Sequence, residues 1–85
     1  MTKVSVELGD LKEIVMFVNI LNKYDYECDL HCGSYYVDAK SLLGVITLHN
    51  ASNVELIIHA DKTDELLKNI EQYCSWKNIN RIFKS

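Results

Sequence analysis

In "KVSVEL", apolar Val4, Val6 and Leu8 alternate with polar Ser5 and Glu7, the period of a strand with one buried face. Gly9 ends it. From Asp10 the period changes: Leu11, Ile14, Val15, Val18 and Leu21 recur at helical spacing and predict a first helix to about Lys23. Asp10 and Glu13 stand as a variant capping box at its start. "YDYECDLHC" returns to strict alternation, with Tyr24, Tyr26, Cys28, Leu30 and Cys32 on one parity and Asp25, Glu27, Asp29 and His31 on the other. Gly33-Ser34 suits a two-residue type II′ hairpin turn into "YYVDA", whose Tyr35, Val37 and Ala39 face inward. "VELIIHA" alternates again through Val54, Leu56, Ile58 and Ala60. "DKTDELLKNIEQYCS" predicts a long last helix, capped by Asp61 or Thr63 and buried through Leu66, Leu67, Ile70, Tyr73 and Cys74.

Between the hairpin and that last strand lies "KSLLGVITL". A short helix capped by Ser41 has more apolar residues than one face can bury: Val45 and Leu48 lie near one side, and Leu42, Leu43 and Ile46 cannot all join them. The resulting order, β-α-β-β-α-β-α, predicts an α+β open-faced β-sandwich: a four-stranded antiparallel sheet covered on one face by helices. A ferredoxin-like small-ligand-binding module is the alternative, and a middle helix of four turns with another strand order would favour it. Met16, Phe17 and Ile20 lie away from the predicted core stripe of the first helix. Trp76, Ile79 and Phe83 recur helically beyond a core of residues 1–75, so 76–85 reads as a C-terminal helical extension of a single domain. Both apolar surpluses point to a covered surface or to a homodimer.

Eighty-five residues suit one domain, which hides roughly 60–65% of the unfolded chain's surface on folding. A net charge of −3 without a basic cluster gives no electrostatic reason for nucleic acid or an anionic membrane. No apolar run approaches the ~20 residues of a bilayer span, and the N-terminus carries no secretory pattern, which makes the cytoplasm the expected compartment. Three cysteines are an odd number for a disulfide framework. Cys28 and Cys32 stand ~13 Å apart along one strand with His31 on its other face, so neither a disulfide nor a metal site is expected, and no cofactor is implied.

"VDAKSLLGVITL" places a strand, then Lys40-Ser41, two bulky apolar residues, Gly44 and Val45 between a hairpin and the "ELIIHA" strand. With these residues, positions 22–73 resemble the HPr family of the bacterial sugar phosphotransferase system. The resemblance implies a small non-enzymatic protein with two phosphorylatable positions. One is a histidine in a His-Ala-Arg-Pro-type motif opening the first helix, which accepts a phosphoryl group from enzyme I and passes it on. The other is a serine capping the short middle helix, modified by a dedicated kinase in many Gram-positive bacteria.

Counting back from Lys40 without a gap, Asp10 falls at the histidine, Lys12 at the arginine and Glu13 at the proline. His31, His49 and His59 lie elsewhere. A carboxylate can form an acyl phosphate, but it ordinarily does so beside a divalent metal held by further acids, and only Glu7 and Glu13 are near in sequence. Lys12 lacks the bidentate fork that suits phosphate. Asp10 is therefore read as an ordinary N-cap; that its fixed charge partly imitates a phosphorylated histidine is a separate hypothesis, motivated only by sign and position. The resemblance then implies a non-phosphocarrier variant with a regulatory or partner-binding role. Ser41 is the candidate phosphorylation site. Lys12, Lys40, Leu42, Leu43 and Ile46 form the candidate surface for enzyme I, HPr kinase or a transcriptional regulator. An active carrier using Asp10 or another residue is the rival.

Overall fold

A computed structural model describes residues 1–74. The expected helical extension at 76–85 lies outside them. The alternating start becomes β1 (Thr2–Val6), followed by α1 (Leu11–Leu21), β2 (Cys28–Cys32), β3 (Tyr35–Asp38), α2 (Leu42–Ile46), β4 (Val54–Ile58), α3 (Asp64–Asn69) and a 3-10 turn over Glu71–Tyr73. The strands form one antiparallel sheet in the order β1-β4-β2-β3. Val4 stands opposite Leu56 and Leu30 opposite Leu56 on β4's other side, so one row of apolar side chains crosses three strands. The helices cover that face. A middle helix of five residues is far from the four turns that would favour a ferredoxin-like module.

The core joins Val4, Val6, Leu30, Leu56 and Ile58 from the sheet to Ile14, Phe17, Val18 and Leu21 of α1, Val45 of α2, and Leu66, Ile70 and Tyr73. The helical stripe differs from the predicted one. Leu11 is exposed, whereas Phe17 is fully buried and meets Tyr73 edge-on, with ring centroids 5.3 Å apart. Positions 14, 17, 18 and 21 are also a helical face, and Tyr73 selects it. The second strand is shorter than its alternation, because Tyr24 and Tyr26 lie in the connection before it, stacked at 5.9 Å. Tyr35, expected inside, is exposed: it begins an edge strand beyond the reach of α1, and its hydroxyl meets Thr47 Oγ1 at 3.3 Å. Gly33 has φ of +63° at the first position of the Gly33-Ser34 turn, as a type II′ turn requires.

The last helix is not long. It stops at Asn69, Ile70 leaves helical geometry (φ −107°, ψ 10°), and the 3-10 turn follows. Glu7 N donates to Tyr73 O at 2.6 Å and Val6 bridges Cys74, so pairing with the end of β1 overrides the helical pattern. Neither candidate cap of α3 acts as one. The Thr63 hydroxyl is buried against Thr2 Oγ1 at 3.0 Å, and Asp61 holds the chain's α-ammonium at 2.8 Å.

All three cysteines are free thiols. Burial pushes Cys28 up to about 11, against a smaller opposing pull from Lys40, and burial likewise pushes Cys74 up to about 11. Between about pH 9 and 11 the unfolded chain therefore binds fewer protons than the native one, and stability falls as pH rises through that window. Urea melts from pH 8 to 11 are expected to show this decline. They should show a shallower one for Cys28→Ala/Cys74→Ala, and equal slopes would count against the assignment.

Candidate functional site

Two helix starts carry the residues singled out by the sequence. At α1, Asp10 is extended (φ −76°, ψ 177°) and its Oδ1 accepts the Glu13 N–H at 3.0 Å, an N-cap that satisfies one of the helix's open donors. The Glu13 side chain folds back over Gly9 so closely that a Cβ there would collide with its carboxylate. Lys12 is exposed in the first turn. No imidazole lies at this terminus: His31 is in β2, His49 follows α2, and His59 follows β4. His59 Nε2 meets Asp29 Oδ2 at 2.8 Å, His31 Nδ1 lies 3.8 Å from Glu55, and the His31 ring stacks on Tyr36. These two imidazoles belong to the sheet face that the helices leave open.

Asp10→Ala is expected to lower stability by about 1 kcal/mol, and Asp10→Asn by a few tenths, since asparagine keeps the acceptor. Thermal melts check this, and equal losses for both would mean that charge, not capping, does the stabilising.

At α2, Ser41 is extended (φ −97°, ψ 111°) and its Oγ accepts the Gly44 N–H at 3.4 Å. The helix packs on β3 through Gly44, where an added Cβ would stand 3.4 Å from Val37 Cβ. Val45 and Leu48 turn inward, as the sequence predicts. Among the three apolar residues left over, Ile46 is half-buried against the core, Leu42 is 37% exposed and Leu43 is 80% exposed. Loop 49–53 does not cover Leu43. The outward apolar edge is thus chiefly Leu43 with Leu42, beside the Ser41 hydroxyl.

Lys40 is placed differently from a free surface cation. Its Nζ donates to the Tyr24 carbonyl, and with Asp25, Glu27, Asp29 and Asp38 it lines a recess of about 300 Å³. Asn22, which the sequence reading passed over, ties the site together: its Nδ2 donates to Val18 O at 2.9 Å and to Lys40 O at 3.0 Å. A polar amide just past the last apolar position of a helix was the available signal. Because this link joins the end of α1 to the start of α2, Ser41 and Asp10 stand at opposite ends of α1, ~16 Å apart along its axis. Lys12 groups with Asp10, and Lys40, Leu42, Leu43 and Ile46 group with Ser41.

Chemically, the α1 terminus presents a carboxylate where an anion would otherwise bind, and it carries no imidazole. The α2 terminus presents a hydroxyl facing open backbone N–H groups, a setting that favours a phosphoryl group. Among the described residues no cluster of three or more metal-ligating side chains occurs, and no helix is long and apolar enough to cross a membrane.

Residues 11–75 match the family described as "PTS HPr component phosphorylation site". The match begins one position after Asp10. Among solved structures, HPr-C-His from Thermoanaerobacter tengcongensis superposes with a TM-score of 0.69 at 22% identity over 85% of this chain and 89% of that one. The phosphocarrier protein HPr of Bacillus anthracis gives 0.66 at 20% identity, over 87% and 94%. Crh of Bacillus subtilis, described as a swapped, intertwined dimer, gives 0.60 at 23% identity, over 85% and 82%. No curated protein matches the chain in sequence.

Proposed function

The chain belongs to the HPr family of the sugar phosphotransferase system, whose members are phosphocarriers rather than enzymes, and from that membership we propose that this protein is a non-phosphocarrier variant acting through partner recognition at α2. The observation that carries the reading is the pairing of a capping carboxylate at Asp10, without an imidazole at the α1 terminus, with an exposed apolar edge at Leu42 and Leu43 beside Ser41. A phosphorylated imidazole passes its phosphoryl group onward readily, whereas a carboxylate ordinarily forms an acyl phosphate beside a divalent metal held by further acids, and among the described residues no such ligand cluster stands at Asp10.

In this reading HPr kinase transfers the γ-phosphoryl of ATP to Ser41 Oγ. The Oγ–P bond forms as the bond to ADP breaks, and the hydroxyl proton leaves. The product dianion lies against the N–H groups of α2, so the fold tolerates it, and the charge added beside Leu42, Leu43 and Ile46 changes which proteins dock there. Lys40, bound to the Tyr24 carbonyl, holds the α2 entrance in place, and Lys12 serves partners that approach α1. Phosphotransferase-system proteins are the family's partners. A swapped dimer like that described for Crh remains an outcome for sedimentation to decide.

Two labelling experiments test the proposal. With enzyme I and labelled phosphoenolpyruvate, no stable label is expected on the wild-type chain, and stoichiometric label would restore the carrier reading. With HPr kinase and labelled ATP, label is expected on the wild type and not on Ser41→Ala. An unlabelled wild type would remove the regulatory reading.

A further inference from the structure

Ser41 opens a helix too short to hold it. α2 has five residues, and a helix of that length does not form by itself in water, because its first turn costs more than its few bonds return. The one bond of the Ser41 hydroxyl, from Gly44 N–H to Oγ at 3.4 Å, is longer than usual. The residue before it is held more firmly. Lys40 has three polar groups, and each is bound by a different part of the fold. Its N–H donates to Asp38 Oδ1 at 2.9 Å, at the end of β3. Its carbonyl accepts from Asn22 Nδ2 at 3.0 Å, at the end of α1. Its ammonium donates to the Tyr24 carbonyl, in the connection to β2. Asp38 adds a second link, since its own carbonyl accepts the Ser41 N–H at 3.0 Å. The Asn22 amide is anchored in turn by its 2.9 Å bond to Val18 O, so it belongs to α1 and does not simply follow Lys40.

We propose that Asn22 and Asp38 are positioning residues for Ser41: through the backbone of Lys40 they fix where the hydroxyl stands before a kinase arrives. Neither side chain bonds the hydroxyl itself. A backbone tied to three elements carries Oγ to one place, and an attacking group misplaced by ~1 Å loses on the order of 100-fold in rate. The kinetic part of this inference rests on reading Ser41 as the phosphoacceptor. The step is the one given above, in which the γ-phosphoryl of ATP passes to Oγ while ADP and the hydroxyl proton leave. The role differs from that of Leu42 and Leu43, which offer the kinase a surface. Docking at that edge is read in KM, and the clamp on Lys40 is read in kcat.

Asn22→Ala and Asp38→Ala are expected to lower kcat for Ser41 phosphorylation by HPr kinase about tenfold, with KM within about twofold of wild type. Asp38→Asn, which keeps an acceptor for the Lys40 N–H, should retain most of the wild-type rate. A second measurement needs no kinase. The amides of Gly44 and Val45 bond Ser41 Oγ and the Ser41 carbonyl, and in Asn22→Ala their hydrogen exchange is expected to quicken several-fold while that of Leu30 in the sheet stays unchanged. Unaltered kcat in both alanine variants would overturn the proposal, and so would a loss carried by KM alone. Exchange that quickens equally at Leu30 would also count against it, by making the effect one of general stability. A wild-type chain that takes no label would instead remove the phosphoacceptor reading. Exchange at Gly44 and Val45 then decides the clamp by itself, and no change there in Asn22→Ala would sink it.

Discussion

Phe17→Ala is expected to lower the unfolding free energy by about 3–5 kcal/mol, the range for removing a buried aromatic ring. Phe17 is fully buried, and its ring meets Tyr73 at 75° between planes, the edge-on geometry that adds to simple burial. The loss combines transfer of the ring to water with a cavity that the neighbours on α1 and the sheet only partly close. A chain of 85 residues has a total stability of roughly 4–13 kcal/mol, so the variant stands near the limit of folding. Tyr73 is affected as well: it sits in the turn that carries the chain to β1, so loss of its partner weakens the Glu7–Tyr73 bond. Urea melts of Phe17→Ala and of the exposed neighbour Met16→Ala make the comparison, with Met16→Ala within about 0.5 kcal/mol of wild type. A loss below about 1 kcal/mol for Phe17→Ala would contradict its place in the core.

The second large effect separates binding from stability. Leu43 is 80% exposed at the start of α2, so Leu43→Asp is expected to leave the unfolding free energy within about 0.5 kcal/mol of wild type. An apolar residue at the centre of an interface contributes on the order of 2 kcal/mol or more, about a 30-fold change in affinity. Phosphorylation of Ser41 by HPr kinase is therefore expected to lose about 30-fold in kcat/KM, carried mainly by KM. Leu43→Met, which keeps the apolar contact, should restore most of it. Unchanged kinetics for Leu43→Asp would show that the kinase does not use this edge.

These two residues also show what local sequence can and cannot reveal. Leu43 was legible because a five-residue helix with four apolar side chains cannot turn all of them to one buried face, whatever surrounds it. The caps were legible for a similar reason: Asp10 and Ser41 each bond an N–H three residues on, a purely local geometry. Phe17 was not. Apolar residues fill α1 from Ile14 to Leu21 except at Asn19, so two overlapping stripes compete, and the choice falls to a tyrosine 56 positions later. The length of α3 failed likewise, because the bond from Glu7 to Tyr73 ends a pattern that reads as helix in isolation. Ile57 sits on the sheet's open face yet is buried, since β4 lies between β1 and β2. At the site, the separation of Asp10 from Ser41 was invisible until the Asn22 link fixed which ends of α1 and α2 meet.

The pairing of β1 with β4 has a consequence for biosynthesis. Thr2–Val6 leaves the ribosome well before its ladder partner, Val54–Ile58, which is made some fifty residues later. Until then Val4 and Val6 have no sheet to join, while β2 and β3, linked by a two-residue turn, can close as soon as they emerge. The nascent chain therefore gathers its middle before its beginning, and its first strand is a sticky leader that awaits the late arrival of β4.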